Sequence, residues 1–336
     1  MTASFNHYSP AVVTSNLLPF TLCYRPLSEL SSALTDDRLL AAISFANHRP
    51  VTDPRHIDIA LPELGDAATV ELWYSPSPVR CDSNDGIRTA TTDQLLLASL
   101  SVEAGDLDTA GYRSYQRLLA RIQDCGYPHL LRTWNYLPDI NREDDGLERY
   151  RAFCRGRYQA LATEHAFEAA LPAACALGSR SGGLDIYLLA ARSPGIQIEN
   201  PRQVSAFRYP PRYGPRSPSF SRAILKRWGD QHHLYISGTA SITGHLSRHI
   251  GDVSAQFDEI VTNLSALLTE ANRRVSVPLR FEAIKLYLGQ GLDPELIDRR
   301  LRHSILADIP AVMLRADICR QDLLLEIEGM CVSQIG

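Results

Sequence analysis

A helix, a strand, a second helix and closing strands recur twice along the 336 residues, and this recurrence restricts the available folds more than any other feature of the chain. In the first copy, GYRSYQRLLARIQDC (111–125) carries Tyr115, Leu118, Leu119 and Ile122 on one stripe, which predicts a helix. A strand, LLRTWNYL (130–137), follows; the polar turn PDINREDDG leads to a second helix near 146–163, and GLDIYLLAA (183–191) closes the unit. The second copy runs through a helix at 252–274, the strand RFEAIKLYL (280–288), a helix at about 294–305, and then PAVMLRAD and LLLEIEGMCV. ELWYS (71–75) and HHLYISGTAS (232–241) are expected to end hairpins ahead of the two copies. The pattern predicts an α+β fold whose mixed β-sheets carry paired helices on one face. It divides the chain into two domains, 1–195 and 196–336, each long enough to bury its own core.

The segment between the copies, to residue 220, is rich in proline and arginine and too polar for a core. Its aromatics Phe207, Tyr209, Tyr213 and Phe220 favour an ordered functional loop over a linker, with 195–220 as the connecting loop. A net charge of −4 without a basic stripe argues against a nucleic-acid partner. No run reaches the ~18 apolar residues of a membrane span, and the N-terminus has no basic region ahead of an apolar core, so neither a membrane anchor nor a signal peptide is expected. Seven scattered cysteines without a CxxC pair fit a reducing cytoplasm.

In the last strand, period two places Leu323, Leu325 and Ile327 on one face and Leu324, Glu326, Glu328 and Met330 on the other. Two carboxylates on one sheet face have two readings. In an apolar cleft, one takes a raised pKa and serves as a general acid. On a solvated face, both are ordinary surface glutamates. Arginines grip carboxylates through two hydrogen bonds. Those outside plain helix surfaces are Arg208, Arg212 and Arg216 in the connecting loop and Arg315 in an apolar strand, while Arg155 and Arg157 flank Gly156 in a helix. Each also reads as a surface residue. His245 and His249 have the i, i+4 spacing of helical metal ligands, but no acid lies between them and Gly244 points to a loop, so no metal site is expected. GQGLD (289–293) lacks the glycine pattern of a dinucleotide loop, and neither a Walker loop nor a GxSxG elbow occurs.

The blocks LLRTWNYLPDINREDDGLERYRAFCRGRYQAL, LPAACALGS, ENPRQVSAFRYPPRYGPRSPSFSRA, ISGTASITGH and DLLLEIEGM together resemble the chorismatase family, over roughly residues 70–336. The C-terminal half, through SGTAS, a long helix and the EIE strand, also resembles more distantly the RidA-like imine-deaminase fold. The resemblance implies two RidA/chorismate-mutase-like units and a reaction on chorismate, a dicarboxylate bearing an enolpyruvyl ether. In this family a glutamic acid on the last strand protonates the ether's methylene carbon, and the resulting oxocarbenium ion collapses with loss of pyruvate. The matching residue is Glu326, with Glu328 as the second choice. A cysteine seven residues earlier marks members that form 3-hydroxybenzoate, alone or with 4-hydroxybenzoate, and Cys319 stands at that spacing. Other members hydrolyse chorismate to a dihydroxycyclohexadiene acid.

For a dicarboxylate substrate, Arg157, Arg216 and Arg315 are the arginines expected to hold the carboxylates, with Tyr213 donating a hydroxyl. Ser237, Gly238, Thr239 and Ala240 are expected along the pocket floor, with Leu324 and Met330 making the acid's surroundings apolar. No cofactor is expected, because the enol ether supplies the reactivity. The rival readings are a chorismate hydrolase and a RidA-like imine deaminase or small-ligand binder; WNY, LERYRAF and YGPRSPSF lie outside the RidA pattern. RidA-type proteins are trimers, so a homotrimer is the expected assembly.

Overall fold

The computed structural model describes residues 18–45, 52–65, 68–163, 167–179 and 181–333. Strands β1 (Thr21–Pro26), β2 (Leu39–Phe45), β3 (His56–Ile59) and β4 (Thr69–Tyr74), with the one-turn helix α1 (Leu30–Ala33), form a four-stranded sheet in the order β1-β4-β2-β3. Next come β5 (Arg80–Asn84), β6 (Ile87–Thr91), β7 (Leu95–Val102), α2 (Leu107–Asp124) and β8 (His129–Pro138). The two-residue strands β9 (Glu143–Asp144) and β10 (Leu147–Glu148) lead into α3 (Arg149–Leu161), β11 (Ala173–Ser179) and β12 (Leu184–Ala191). The six long strands of this stretch make a sheet ordered β11-β8-β12-β7-β6-β5. The last part holds β13 (Ile196–Ile198), β14 (Ala223–Trp228), β15 (Gln231–Thr239), the two-residue strands β16 (Ile242–Thr243) and β17 (Leu246–Ser247), α4 (Val253–Asn272), β18 (Leu279–Leu288), α5 (Pro294–Arg302), β19 (Ala311–Arg315) and β20 (Leu325–Ser333). Its sheet is ordered β13-β14-β15-β20-β18-β19.

The two six-stranded orders correspond element for element. In each, the final strand slots between the opening hairpins and the strand after the first helix, and a single parallel pair, β8 with β11 or β18 with β19, forms the far edge. The fold is α+β with mixed sheets, as the repeat predicts. Helix starts follow the capping rules: Asp106 accepts from the amides of Asp108 and Thr109, Asp252 from Ala255, and Asp293 from Glu295 with Pro294 at the first helical position. The cap at Asp106 starts the first helix at Leu107, ahead of the expected 111. The second helix starts at Arg149 because Asp145 and Gly146 both have positive φ, the geometry of a two-residue hairpin turn between β9 and β10.

Two expectations need correction. ELWYS does not end a hairpin of the first unit; it lies in β4, paired with β1 and β2 in the separate four-stranded sheet. The first unit's opening strands are β5, β6 and β7, and β5 is an exposed edge strand of polar residues with no hydrophobic alternation to reveal it. The strand β11, AACALGS, was not expected either, since alanine, glycine and serine are poor strand formers.

All three sheets turn one face to a shared interior. Trp73 and Ile43 enter it from the first sheet, Trp134, Tyr136 and Tyr187 from the second, and Tyr235, Tyr287 and Met330 from the third. The opposite faces pack on each sheet's own helices: α1 on the first, α2 and α3 on the second, α4 and α5 on the third. β12 is buried on both sides and accordingly reads as a nearly continuous apolar run. The inner faces of all three sheets are covered within one chain, and the expected homotrimer gains no support. Among the described residues, no helix is long and apolar enough to cross a membrane.

Candidate active site

A cleft of about 520 Å³ opens where β11 and the end of β15 meet, roofed by α3, the connecting loop and the segment Cys319–Asp322. The small side chains of β11 let the two large sheets approach. Ser237 ties them together, its hydroxyl accepting from the Ala174 amide (2.8 Å) and donating to the Ser221 carbonyl (2.6 Å). The pleat of β15 turns Gly238 and Ala240 into the cleft and Ser237 and Thr239 away from it. Thr239 donates to the Ser237 carbonyl. Of the four residues expected on the floor, two therefore line it and two build the sheet behind it.

Glu326 points into this cleft from β20 and is only 4% exposed. It makes no hydrogen bond to any described residue. Burial, reinforced by the negative Glu328 two residues on, holds its carboxyl up at about 8, against a smaller opposing pull from Arg132 and Arg222. The backbone opposite is glycine, and a Cβ added at Gly238 would fall 1.8 Å from Glu326 Oε1 and 3.2 Å from Cys175 Cβ, so a side chain there displaces the carboxyl. The carboxyl thus rests directly on the floor strand.

Glu328 shares the face but not the cleft. Its Oε2 pairs with Arg132, while Oε1 accepts from Trp134 Nε1 (2.8 Å) and Tyr287 OH (3.1 Å) and lies 3.1 Å from Lys285 Nζ. Lys285 continues to Glu71 Oε2 at 2.9 Å and to Tyr187 OH at 3.2 Å, and Glu71 accepts from Trp73 Nε1 at 2.7 Å. Burial opposes the charge on Glu328, but Lys285 and Arg132 outweigh it and hold its carboxyl below the usual range. One carboxylate and one cation of this chain of four come from the third sheet, Glu71 from the first and Arg132 from the second. The two glutamates, indistinguishable by alternation, differ in protonation because one is paired and the other is not.

The cleft walls are cationic and aromatic. Arg157 reaches in from α3, donating from Nη2 to Thr133 Oγ1 (3.1 Å) and lying over the Tyr115 ring, with its buried Nε unpartnered. Arg222 donates from Nη2 to Tyr209 OH (2.7 Å) and the Val204 carbonyl (3.0 Å), and its buried Nε is likewise unpartnered. Arg320 lies 4.2 Å over the Tyr213 ring and donates from Nη1 to the His245 carbonyl (3.0 Å). Tyr213 donates its hydroxyl to that same carbonyl (2.7 Å), stapling the connecting loop across the mouth. Cys319 and Cys154 also line the space. Burial pushes the Cys154 thiol up to about 12 and the Cys319 thiol well up too, so both stay uncharged.

The structure brings together Glu326, Cys319, Arg157, Tyr213, Gly238 and Ala240 of the expected site. It does not bring in Arg216, which is exposed over the Tyr158 ring (4.4 Å), or Arg315. Arg315 lies on the helix-side face of β19, donating to the carbonyls of Gly289 (2.5 Å) and Leu292 (3.0 Å). Leu324 packs toward the helices and Met330 belongs to the shared interior, so the apolar surroundings of the acid come instead from Cys175, Phe220, Ala240 and Cys319. Sequence reasoning missed Arg222, Arg320, Tyr209 as a wall residue, and Cys175. The available signal for Arg222 was a charged residue immediately ahead of the apolar strand AILKRW.

Comparison with known proteins gives a consistent picture. A family model described as chorismatase FkbO/Hyg5-like, N-terminal, matches residues 71–190. The chain is 36% identical over 276 residues to a chorismatase of Streptomyces rapamycinicus, covering 79% of this chain and 83% of that one. It is 33% identical over 309 residues to a 3-hydroxybenzoate synthase of Streptomyces hygroscopicus, covering 87% and 91%. A chorismatase crystal structure superposes with a TM-score of 0.83 at 32% identity, covering 93% of this chain and 98% of the other.

Proposed function

The chain belongs to the chorismatase family, and from that premise we propose that it is a chorismate-cleaving lyase that releases pyruvate and forms 3-hydroxybenzoate. Glu326 gives its proton to the methylene carbon of the enolpyruvyl ether: a C–H bond forms, the acid O–H bond breaks, and the carboxylate left behind faces the oxocarbenium ion. The bond between the ether oxygen and the ring then breaks, the oxygen leaving as the keto oxygen of pyruvate. The neighbouring ring hydroxyl closes onto the vacated carbon, its proton returns to the Glu326 carboxylate, and the ring rearranges to the aromatic hydroxybenzoate. Chorismate divides into pyruvate and hydroxybenzoate with no net water, whereas the hydrolytic alternative adds one. The observation that carries this reading is the protonated, unpartnered carboxyl of Glu326 in a cleft whose buried arginines, Arg157 and Arg222, keep unpartnered N–H groups suited to an anionic ligand. A carbon-protonating acid has to be undissociated near neutral pH, which its apolar setting achieves. Free thiols at all seven cysteines support a reducing, cytoplasmic setting.

Incubation of the purified protein with chorismate is the decisive experiment, and pyruvate with an equimolar amount of 3-hydroxybenzoate is the expected result. 4-Hydroxybenzoate is the companion product to assay for. The cyclohexadiene diol in its place would make the enzyme a hydrolase, and unchanged chorismate would reject the reading. Because the acid has to carry its proton, kcat/KM is expected to hold level below pH 8 and to fall about tenfold per unit above it.

Cys319 supports the benzoate-forming branch. It lines the cleft as an uncharged thiol, which fills space beside the ring without ordering a nucleophilic water. Cys319→Ala is expected to keep consuming chorismate while its products shift toward the dihydroxycyclohexadiene acid. An unchanged product ratio with a lower melting temperature would mean that this cysteine only packs.

A further inference from the structure

We propose that Glu328 is a positioning residue for the acid: clamped by Arg132, Lys285 and, through Lys285, Glu71, it holds a fixed negative charge beside Glu326 that keeps the Glu326 proton in place until substrate arrives. The inference rests on the reading of Glu326 as proton donor. Two residues apart on one face of β20, the carboxyl groups are anchored about 7 Å from one another along the strand. Glu328 cannot leave this position or lose its charge cheaply. It is 2% exposed, does not line the cleft, and both of its oxygens are engaged by cations, an indole and a phenol from β8 and β18.

The other groups facing Glu326 do not supply this charge. Arg132 on β8 and Arg222 ahead of β14 are cations that favour its ionised form, and the thiols of Cys175 on β11 and Cys319 are held neutral by burial. Glu143, Glu148 and Asp322 also line the cleft, but among the described residues Glu328 is the carboxylate whose charge bears on Glu326. Two carboxylates and two cations leave the chain Glu71–Lys285–Glu328–Arg132 neutral as a whole, so the anion is tolerated inside the shared interior. The order of the groups matters more than their sum, since the acid next to Glu326 is the one that weighs most on it.

The test is the pH dependence of kcat/KM for chorismate. Glu328→Gln removes the anion and leaves Arg132 and Lys285, so the alkaline limb should move down by one pH unit or more, while Glu328→Asp, which restores the charge, should keep it near the wild-type position. The charge-balanced double variant Glu328→Gln/Lys285→Met guards against misfolding and should also show a lowered limb. If neither Gln variant folds, Glu71→Gln leaves Glu328 and its clamps in place and should lower the limb by a smaller amount. A limb that stays put in the folded variants while activity or melting temperature falls would overturn the inference and leave the network a structural tie. Wild-type turnover in Glu326→Gln would instead defeat the reading of the acid itself.

Discussion

Glu326→Gln is expected to lose at least ~100-fold in turnover and to melt at a higher temperature than the wild type above pH 8. The first effect is the removal of the proton that the proposed reaction delivers to carbon. The second follows from linkage. The folded chain holds the Glu326 proton up to about 8, whereas the unfolded chain releases it near 4.5. The stabilisation from this group is therefore complete below 4.5 and is lost progressively as the pH rises to 8, because ionising the buried carboxyl favours the unfolded state. Glutamine never ionises and escapes that loss, which for a shift of this size is on the order of a few kcal/mol. The two proteins should melt alike near pH 4 and diverge by pH 9, as read by thermal denaturation at both. A Gln variant less stable than the wild type at high pH would mean that Glu326 is not buried and unpaired as described.

Gly238→Ala should be nearly as damaging to catalysis, through geometry alone. Its methyl group would stand 1.8 Å from Glu326 Oε1, so either the carboxyl leaves its place or the floor strand spreads. A displacement of about 1 Å at the reacting group costs on the order of 100-fold. The loss should appear in kcat with little change in KM, because Arg157 and Arg222 approach from other elements. The double variant Gly238→Ala/Glu326→Gln should be no worse than Glu326→Gln alone, since the methyl acts through a carboxyl that is already disabled. Additive losses in steady-state kinetics would place the damage elsewhere in the floor.

The repeat was legible because the first helix of each copy buries a 3.6-residue apolar stripe and the strands around it are strongly apolar, and these carry their own periodicity wherever they pack. β5 and β11 were illegible for opposite reasons, one being polar and exposed along an edge, the other too small in side chain to look like a strand. Alternation correctly put Glu326 and Glu328 on one face, but their different fates depend on Arg132, about 200 residues away in sequence, and on Glu71, farther still. The arginines misled for a related reason. Arg315 stands in an apolar strand, yet its pleat turns it to the helices and onto backbone carbonyls, whereas Arg222 enters the cleft from a position that local pattern does not distinguish. Face and partner are properties of the assembled sheets.

The third wall of the shared interior has a further consequence. Strands β1 to β4 supply it from the same polypeptide, and β4 contributes Glu71 to the buried chain of charges that reaches Glu328. Were that wall borrowed from another molecule, its docking would cost ~4–15 kcal/mol in lost translational and rotational freedom, and the charges beneath the acid would assemble only above some protein concentration. Here the encounter is built into the connectivity. The charges that flank Glu326 therefore come together as one chain folds, without a second molecule to complete them.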